Sequence, residues 1–183
     1  MFLFEDIGLR PIEKRDLEEI RLLRNSQSTW IHLTSVELIN EAQQLQWYEN
    51  VCRDKDIEYY SVVKIKYEFP VQYEKEFLGI IRVKDIDLTN RSAMIGLDIK
   101  PGFRRQGVGT RAFTASLEYF FQHRNFHRLY LCVLENNEFA QKLYKNVGFS
   151  LEGVMKEAIW RSGRWNDYLV FSLLEDHYRE IEK

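Results

Sequence analysis

The residue types best suited to chemistry lie in the segment GFRRQGVGTRAF, residues 102–113. A glycine-rich turn that leads into a helix directs unpaired backbone N–H groups, and the positive end of the helix dipole, toward an anion. Gly107 and Gly109 lack the Cβ that would hold a ligand away from the backbone, and Arg104 and Arg105 add positive charge. The spacing favours a phosphate-binding loop, with an ordinary glycine-rich turn as the alternative.

Two familiar phosphate loops fit this segment less well. A P-loop needs a lysine after its last glycine, and none stands here. A dinucleotide fingerprint fits better, because Gly107, Gly109 and Ala112 match GxGxxA and Glu135 lies at about the distance of a ribose-binding acid. The charged stretch KPGFRR precedes the first of these glycines, however, and too little chain follows for the second half of a doubly wound sheet. A dinucleotide-binding oxidoreductase therefore stays a minor alternative.

Composition limits the classes of protein to which the chain can belong. Its 183 residues are 45% hydrophobic and 30% charged, and we expect one globular domain over residues 1–183. A formal net charge of -2 argues against non-specific nucleic-acid binding. No apolar run approaches the roughly 18 residues that span a bilayer, so we expect no membrane partner.

The cysteines and histidines predict neither a disulfide framework nor a metal site. Cys52 and Cys132 are far apart and lack CxxC spacing, which favours a reducing compartment, and we expect a cytoplasmic protein. The four histidines form no ligand set with these cysteines, so no metal is expected.

The N-terminal third predicts a strand and two capped helices. IGLRPI is typical of a strand, and RDLEEIRLLRN is typical of a helix with Asp16 as its N-cap. INEAQQLQWYENV predicts a second helix, in which Asn40 caps the N-terminus and Gln43 reaches back. Its expected core stripe is Leu45, Tyr48, Val51 and Cys52.

The remaining chain predicts a mixed α/β fold. EYYSVVKI, FLGIIRV and SAMIGLDI read as an antiparallel meander, with turns at Pro70 and at Thr89–Asn90. Helices are then predicted over residues 107–122 and 137–147, separated by the strand RLYLCV, so parallel strand pairing is expected there. The second helix carries a core stripe and ends at Gly148; the stripe is Phe139, Ala140, Leu143, Tyr144 and Val147. A hairpin and a polar tail close the chain.

Two segments resemble the acetyl-CoA-binding half of the GNAT superfamily of N-acetyltransferases. IGLDIKPGFRRQGVGTRAF contains the family pattern Q/R-x-x-G-x-G/A at Arg104, Gly107 and Gly109. LYLCVLENNEFAQKLYKNVGF contains N-x-x-A-x-x-L-Y-x-x-x-G-F, which falls on Asn137, Ala140, Leu143, Tyr144, Gly148 and Phe149. The opening LRPIEKRDLEEI and the ending EGVMKEAIWRSGRWNDYLVFSLL are similar to the RimJ/RimL-like branch, which also includes spermidine N-acetyltransferases.

The resemblance implies a central mixed sheet whose parallel strands splay apart at the cofactor site, flanked by helices. It implies acetyl-CoA as co-substrate and no metal. The pantetheine arm would pair with the main chain of Leu97, Asp98 and Ile99, and Asn137 would serve the cofactor or simply cap its helix. The pyrophosphate would lie on the loop formed by Arg104, Arg105, Gln106, Gly107, Val108, Gly109 and Thr110.

The same resemblance makes Tyr144 the general acid for the departing thiolate. Many relatives carry a glutamate as base in the strand before the glycine loop, where this chain has Met94, and Asp98 shares a strand face with Met94. The base is therefore unassigned.

The acceptor is expected to be a primary amine, either a protein N-terminus or a small amine such as an amino-sugar nucleotide, attacking directly in a ternary complex. Arg24, Trp30 and Tyr48 are candidate acceptor-binding residues. A non-catalytic CoA-binding regulatory module is the alternative from another class of function.

Overall fold

Within residues 1–68 and 71–181, which the computed structural model describes, eight strands form one sheet in the order β1-β2-β3-β4-β5-β6-β8-β7. Strands β5 and β6 pair in parallel, and all other neighbours are antiparallel. The predicted meander and the predicted parallel crossover are both confirmed. The strands are β1 Phe2–Phe4, β2 Ile7–Pro11, β3 Glu58–Glu68, β4 Val71–Asp87, β5 Ser92–Ile99, β6 Arg128–Leu134, β7 Ser150–Arg161 and β8 Arg164–Leu174.

The helices cover the two faces of this sheet. On one face a smaller group of buried residues, the second core cluster, joins α1 and α3 to β3 and β4; its buried members are Ile12, Ile20, Leu23, Tyr59, Phe77 and Ile80. On the other face the main core packs α4 and α5 against the sheet. Helix α4 continues into one π-helical turn at Tyr119–His123. The helices are α1 Leu17–Asn25, α2 Gln27–Trp30, α3 Glu41–Val51, α4 Val108–Glu118, α5 Glu138–Asn146 and α6 Glu175–Ile181.

The prediction that the side chain of Asp16 caps α1 is wrong. Asp16 precedes the helix but makes no side-chain cap. Its carboxylate instead accepts two hydrogen bonds from Arg10, at 2.7 and 2.8 Å, one from the Glu13 backbone N–H and one from the Ser61 hydroxyl, both at 2.8 Å. Arg10 also donates from Nε to Glu74 at 2.8 Å. A buried ion pair that links β2, β3 and β4 has replaced a local helix cap.

Helix α3 has the predicted capping box, in which Asn40 and Gln43 exchange backbone hydrogen bonds. Its buried stripe is shifted from the expected one. Leu45 and Cys52 are exposed, whereas Gln44 is buried. Trp47, Tyr48 and Val51 supply the contacts with the second core cluster.

Several turns and ends bear on the predictions. The turn at residues 88–91 and the left-handed Gly148 that ends α5 are as predicted. The turn expected at Pro70 lies outside the described residues. The expected polar tail is in fact α6, which buries Tyr178 against Phe121 at a ring separation of 4.8 Å.

Candidate active site

A gap opens between the two parallel strands at the centre of the sheet. Strand β5 pairs with β6 only from Ser92 to Met94, whereas it pairs with β4 as far as Ile99. Beyond Met94, Leu97, Asp98 and Ile99 therefore have a strand ladder on one side only. Backbone N–H and C=O groups on the other edge are available to an extended, amide-rich ligand.

The glycine loop stands at the end of this gap. Gly107 is the N-cap of α4 with φ +73°, a left-handed conformation that favours glycine. The N–H groups of the first turn, from Val108 through Thr110, have no intrahelical acceptors because a helix N-terminus provides none. A Cβ on Gly109 would lie 3.4 Å from Leu143 and 3.6 Å from Leu97, so this glycine seats the loop between α5 and β5. The result is a backbone cradle suited to phosphate.

The two loop arginines have different surroundings. Arg104 donates from Nε to the Ile99 carbonyl at 2.8 Å, from Nη1 to the Ser28 carbonyl at 2.9 Å, and from Nη2 to Thr29 Oγ1 at 2.6 Å. It ties the glycine loop to α2 rather than standing free beside the cradle. Arg105 is exposed, and its guanidinium lies 4.4 Å from the centre of the Phe139 ring.

Phe139, at the start of α5, is exposed and does not belong to the buried stripe predicted for this helix. This side chain is 69% exposed, because the helix turns it outward beneath Arg105. Asn137 is the N-cap, and its side chain accepts from the Ala140 N–H at 3.3 Å, so its capping role is confirmed. Nearby, the amide of Gln106 donates to the Gly102 carbonyl at 2.8 Å and holds the loop closed.

Tyr144 lies on α5, facing the gap. Its ring packs edge-on against Phe113 at 5.4 Å and lies 6.3 Å from Phe171, and the side chain is 8% exposed. The described residues give its hydroxyl no hydrogen-bond partner. Burial raises the pKa of Tyr144, an effect that the nearby Arg82 partly offsets and Asp98 reinforces. The phenol therefore keeps its proton at neutral pH, as a general acid must.

Arg82 is the site residue that the sequence predictions missed. It lies on β4 opposite Gly96, and a Cβ at Gly96 would be 2.9 Å from its Nη2, so its side chain crosses over β5. Its Nε lies 3.4 Å from Asp98 Oδ2. Met94 shares the same strand face by alternation. A charged residue near the end of the apolar run FLGIIRV was the available signal.

Helices α1 to α3 and the segment that follows α2 cover the face of the sheet on which Arg82 lies. Trp30 is half-buried at the end of α2, and the Nε of Arg24 is buried without a hydrogen-bond partner. Tyr48 packs into the second core cluster instead. Buried Arg161, at the end of β7, donates to the carbonyls of Leu33 and Thr34.

The described residues also bear on membrane insertion and on metal binding. None of the helices in residues 1–68 and 71–181 combines the length and apolar character needed to cross a bilayer. In the same residues, no group of three or more His, Cys, Asp or Glu side chains is arranged to hold a metal ion.

Comparison with known proteins agrees with this geometry. Residues 6–150 match the family model of the acetyltransferase (GNAT) domain. The spermidine N(1)-acetyltransferase of Escherichia coli K12 is 27% identical over 175 residues, which cover 94% of this chain and 88% of that protein. The ribosomal-protein-serine acetyltransferase of the same organism is 27% identical over 109 residues, 59% of this chain and 60% of that protein. The crystal structure of spermidine N-acetyltransferase from Vibrio cholerae with CoA and spermine superposes with a TM-score of 0.86 at 25% identity, covering 96% of this chain and 99% of that one.

Proposed function

The chain belongs to the GNAT-domain acetyltransferases, and we propose that it transfers the acetyl group of acetyl-CoA to a small primary amine by direct attack in a ternary complex. One observation carries the proposal. The gap between β5 and β6 opens where β5 reaches the glycine cradle, and a protonated Tyr144 lies beside it. An extended cofactor arm, its phosphates and its leaving group each meet a suitable protein group there.

The cofactor-binding residues are proposed from this arrangement. The cradle from Gly107 to Thr110 receives the pyrophosphate on backbone N–H groups. The unpaired edge of Leu97, Asp98 and Ile99 receives the pantetheine amides as a neighbouring strand would. Arg105, stacked on Phe139 at the mouth of the loop, supplies charge near the nucleotide. Arg104 holds the loop in place through Ile99 and α2.

The chemistry needs a neutral amine and a proton for the leaving sulfur. Acetyl-CoA supplies an activated acetyl thioester. A thiol has a pKa of about 8.5, and burial raises the pKa of the Tyr144 phenol above its usual value. Tyr144 therefore stays protonated and donates its proton to the sulfur as the thiolate leaves. The strand position that carries a glutamate in many relatives holds Met94 in this chain, and Asp98 is paired with Arg82. We therefore propose that the acceptor enters as its neutral form or loses its proton to water.

The class of acceptor follows from the relatives. Spermidine acetyltransferases match over nearly the whole chain, which supports a small amine, and an amino-sugar nucleotide belongs to that class. A protein N-terminus is the second candidate, because a ribosomal-protein-serine acetyltransferase matches over a shorter segment. These matches support the wider GNAT family, and the RimJ/RimL-like branch stays a prediction.

The test is thiol release from acetyl-CoA, followed with a disulfide reagent. The acceptors are spermidine, an amino-sugar nucleotide, an aminoglycoside and Ser- or Ala-initiated peptides. Saturable release with a small amine supports the proposal, and release with peptides alone favours the second candidate. Binding of acetyl-CoA with every acceptor at background would support a non-catalytic CoA-binding module. A dinucleotide oxidoreductase would instead bind NAD(H) in preference to acetyl-CoA.

A further inference from the structure

Arg82 occupies the acceptor side of the gap. Alternation along β4 and β5 places it on the sheet face covered by α1 to α3, opposite to α4 and α5. Its side chain lies over Gly96, beside the point where β5 and β6 separate. Arg82 and Tyr144 are also close enough to interact electrostatically. A cation therefore stands beside the place where the amine must meet the thioester.

The guanidinium of Arg82 is poorly satisfied by the protein. Asp98, 3.4 Å from Nε, is the carboxylate that the described residues place against it, and the buried Nε has no hydrogen-bond partner. By contrast, Arg10 binds the carboxylates of Asp16 and Glu74 through three nitrogens, and half-buried Arg124 binds Glu58 through two, all at 2.7 to 2.9 Å. A guanidinium has five N–H donors, and those of Arg82 that reach no protein acceptor belong to a side chain that is 26% exposed. Arg82 thus has donors to spare for a ligand.

The surrounding segment is also poor in negative charge. Residues 20–36, which include α2 and most of α1, contain no Asp or Glu. Two further arginines bracket the end of this segment, Arg104 through Ser28 and Thr29 and Arg161 through the carbonyls of Leu33 and Thr34. Burial, with Arg104 nearby, lowers the pKa of His32, so this side chain is neutral at pH 7. A polycation would meet three arginines here, and the carboxylate of Asp98 at the same place is already paired with Arg82.

We propose that the acceptor amine carries a negatively charged group, a phosphate or a carboxylate, which binds the guanidinium of Arg82. The planar fork of arginine accepts either anion in a bidentate manner. Because Arg82 stands next to the reacting centre, the anion and the amine belong to the same small molecule. This inference rests on the proposed acetyltransfer and narrows its acceptor class.

The experiment compares matched acceptors that differ only in charge. Glucosamine 1-phosphate against glucosamine tests a phosphate, alanine against alaninamide tests a carboxylate, and spermidine tests a polycation. We expect kcat/KM from thiol release to be at least about tenfold higher for the charged member of one pair, since charge-assisted hydrogen bonds are roughly twice as strong as neutral ones. Spermidine is expected to be the poorest acceptor. A higher kcat/KM for spermidine than for both charged members would overturn the inference.

Variants of Arg82 test the contact itself. In Arg82→Gln, the ratio of kcat/KM for the charged acceptor to that for its neutral partner should fall close to one, with KM for acetyl-CoA unchanged. Arg82→Lys should keep part of the preference for the charged acceptor. Arg179→Gln, which removes an exposed arginine on α6, is the matched control and should change nothing. An unchanged ratio in Arg82→Gln would refute the assignment. Unchanged melting temperatures show that the variants are folded.

Calorimetry separates this inference from the proposed function. Both members of each pair are titrated into CoA-saturated protein, wild type and Arg82→Gln. Tighter binding of a charged member, lost in the variant, supports the inference even if no thiol is released, in which case only the proposed acetyltransfer fails. Equal binding of both members of every pair overturns the inference while leaving acetyltransfer standing.

Discussion

Replacing Tyr144 by phenylalanine removes a single hydroxyl from a site that the fold otherwise leaves intact. The ring contacts with Phe113, Phe149 and Phe171 are made by atoms that phenylalanine keeps. The described residues provide no hydrogen-bond partner that the change would orphan. Stability should therefore stay within about 1 kcal/mol of wild type, since changes without a broken contact are small.

The chemical effect of Tyr144→Phe should be large by comparison. A positioned general acid contributes about 10²–10⁴-fold to rate, and a water that enters the gap can replace part of it. We expect kcat to fall at least about tenfold, equal to about 1.4 kcal/mol of barrier, with little change in acetyl-CoA affinity. The loss should appear with every acceptor, because it concerns the leaving sulfur.

The assay is thiol release at saturating acetyl-CoA, together with acetyl-CoA binding and thermal unfolding. Tyr60→Phe is the matched control. Tyr60 is equally buried, but it lies on β3, two strands from β5, and its hydroxyl donates to Glu58 at 2.5 Å. That variant should lose stability and keep its turnover, the reverse of Tyr144→Phe. Unchanged turnover in Tyr144→Phe would refute the assignment of the general acid.

Three further outcomes follow from the structure. Gly107→Ala should raise KM for acetyl-CoA and destabilise the fold by about 1 kcal/mol, because the φ of Gly107 is +73°. Gly109→Ala, whose added Cβ makes ordinary contacts, should raise KM at unchanged melting temperature. A KM unchanged from wild type in both variants would contradict the cradle. Asp16→Asn should cost about 1.5–3 kcal/mol in urea unfolding, because buried Arg10 loses one of its two carboxylate partners and keeps only Glu74. Burial alone would raise the pKa of Asp16, but hydrogen bonds from Arg10, Glu13 and Ser61 lower it. The difference in unfolding free energy between wild type and variant should therefore be complete above about pH 4 and should shrink as the pH falls further. Because the pKa of Tyr144 is raised, kcat should rise with pH as the amine is neutralised and show no decline from this acid near pH 10; a decline centred well below pH 10 would count against it.

Local signals in the sequence predicted the elements well. The meander, the parallel crossover and the α3 capping box depend on alternation, periodicity and residues three apart, all visible in one short window. Helix α6 and the role of Asp16 depend on distant partners. Stacking of Tyr178 on Phe121 stabilises α6. The hydroxyl of Ser61, 45 residues along the chain, binds the Asp16 carboxylate that was expected to cap α1.

The site was predictable only where a motif marked it. The glycine cradle and Tyr144 lie in two patterns that fix their roles relative to each other. Arg82 belongs to neither pattern, and its importance depends on how far β5 and β6 separate, which strand propensity does not encode. Phe139 shows the same limit, because helical periodicity placed it in a stripe but could not say which edge of the stripe the sheet would cover.

The three-way anchor of Arg104 has a consequence for the order of events in a catalytic cycle. One guanidinium joins the end of β5 and the glycine loop to α2, on the side where the second ligand enters. We expect any shift of that loop on nucleotide binding to be passed through this guanidinium to α2. By thermodynamic linkage, each ligand must then alter the affinity for the other by the same factor. We therefore expect sequential kinetics in which one ligand binds before the other. Dead-end inhibitors of the cofactor site and of the acceptor site should also strengthen each other's binding.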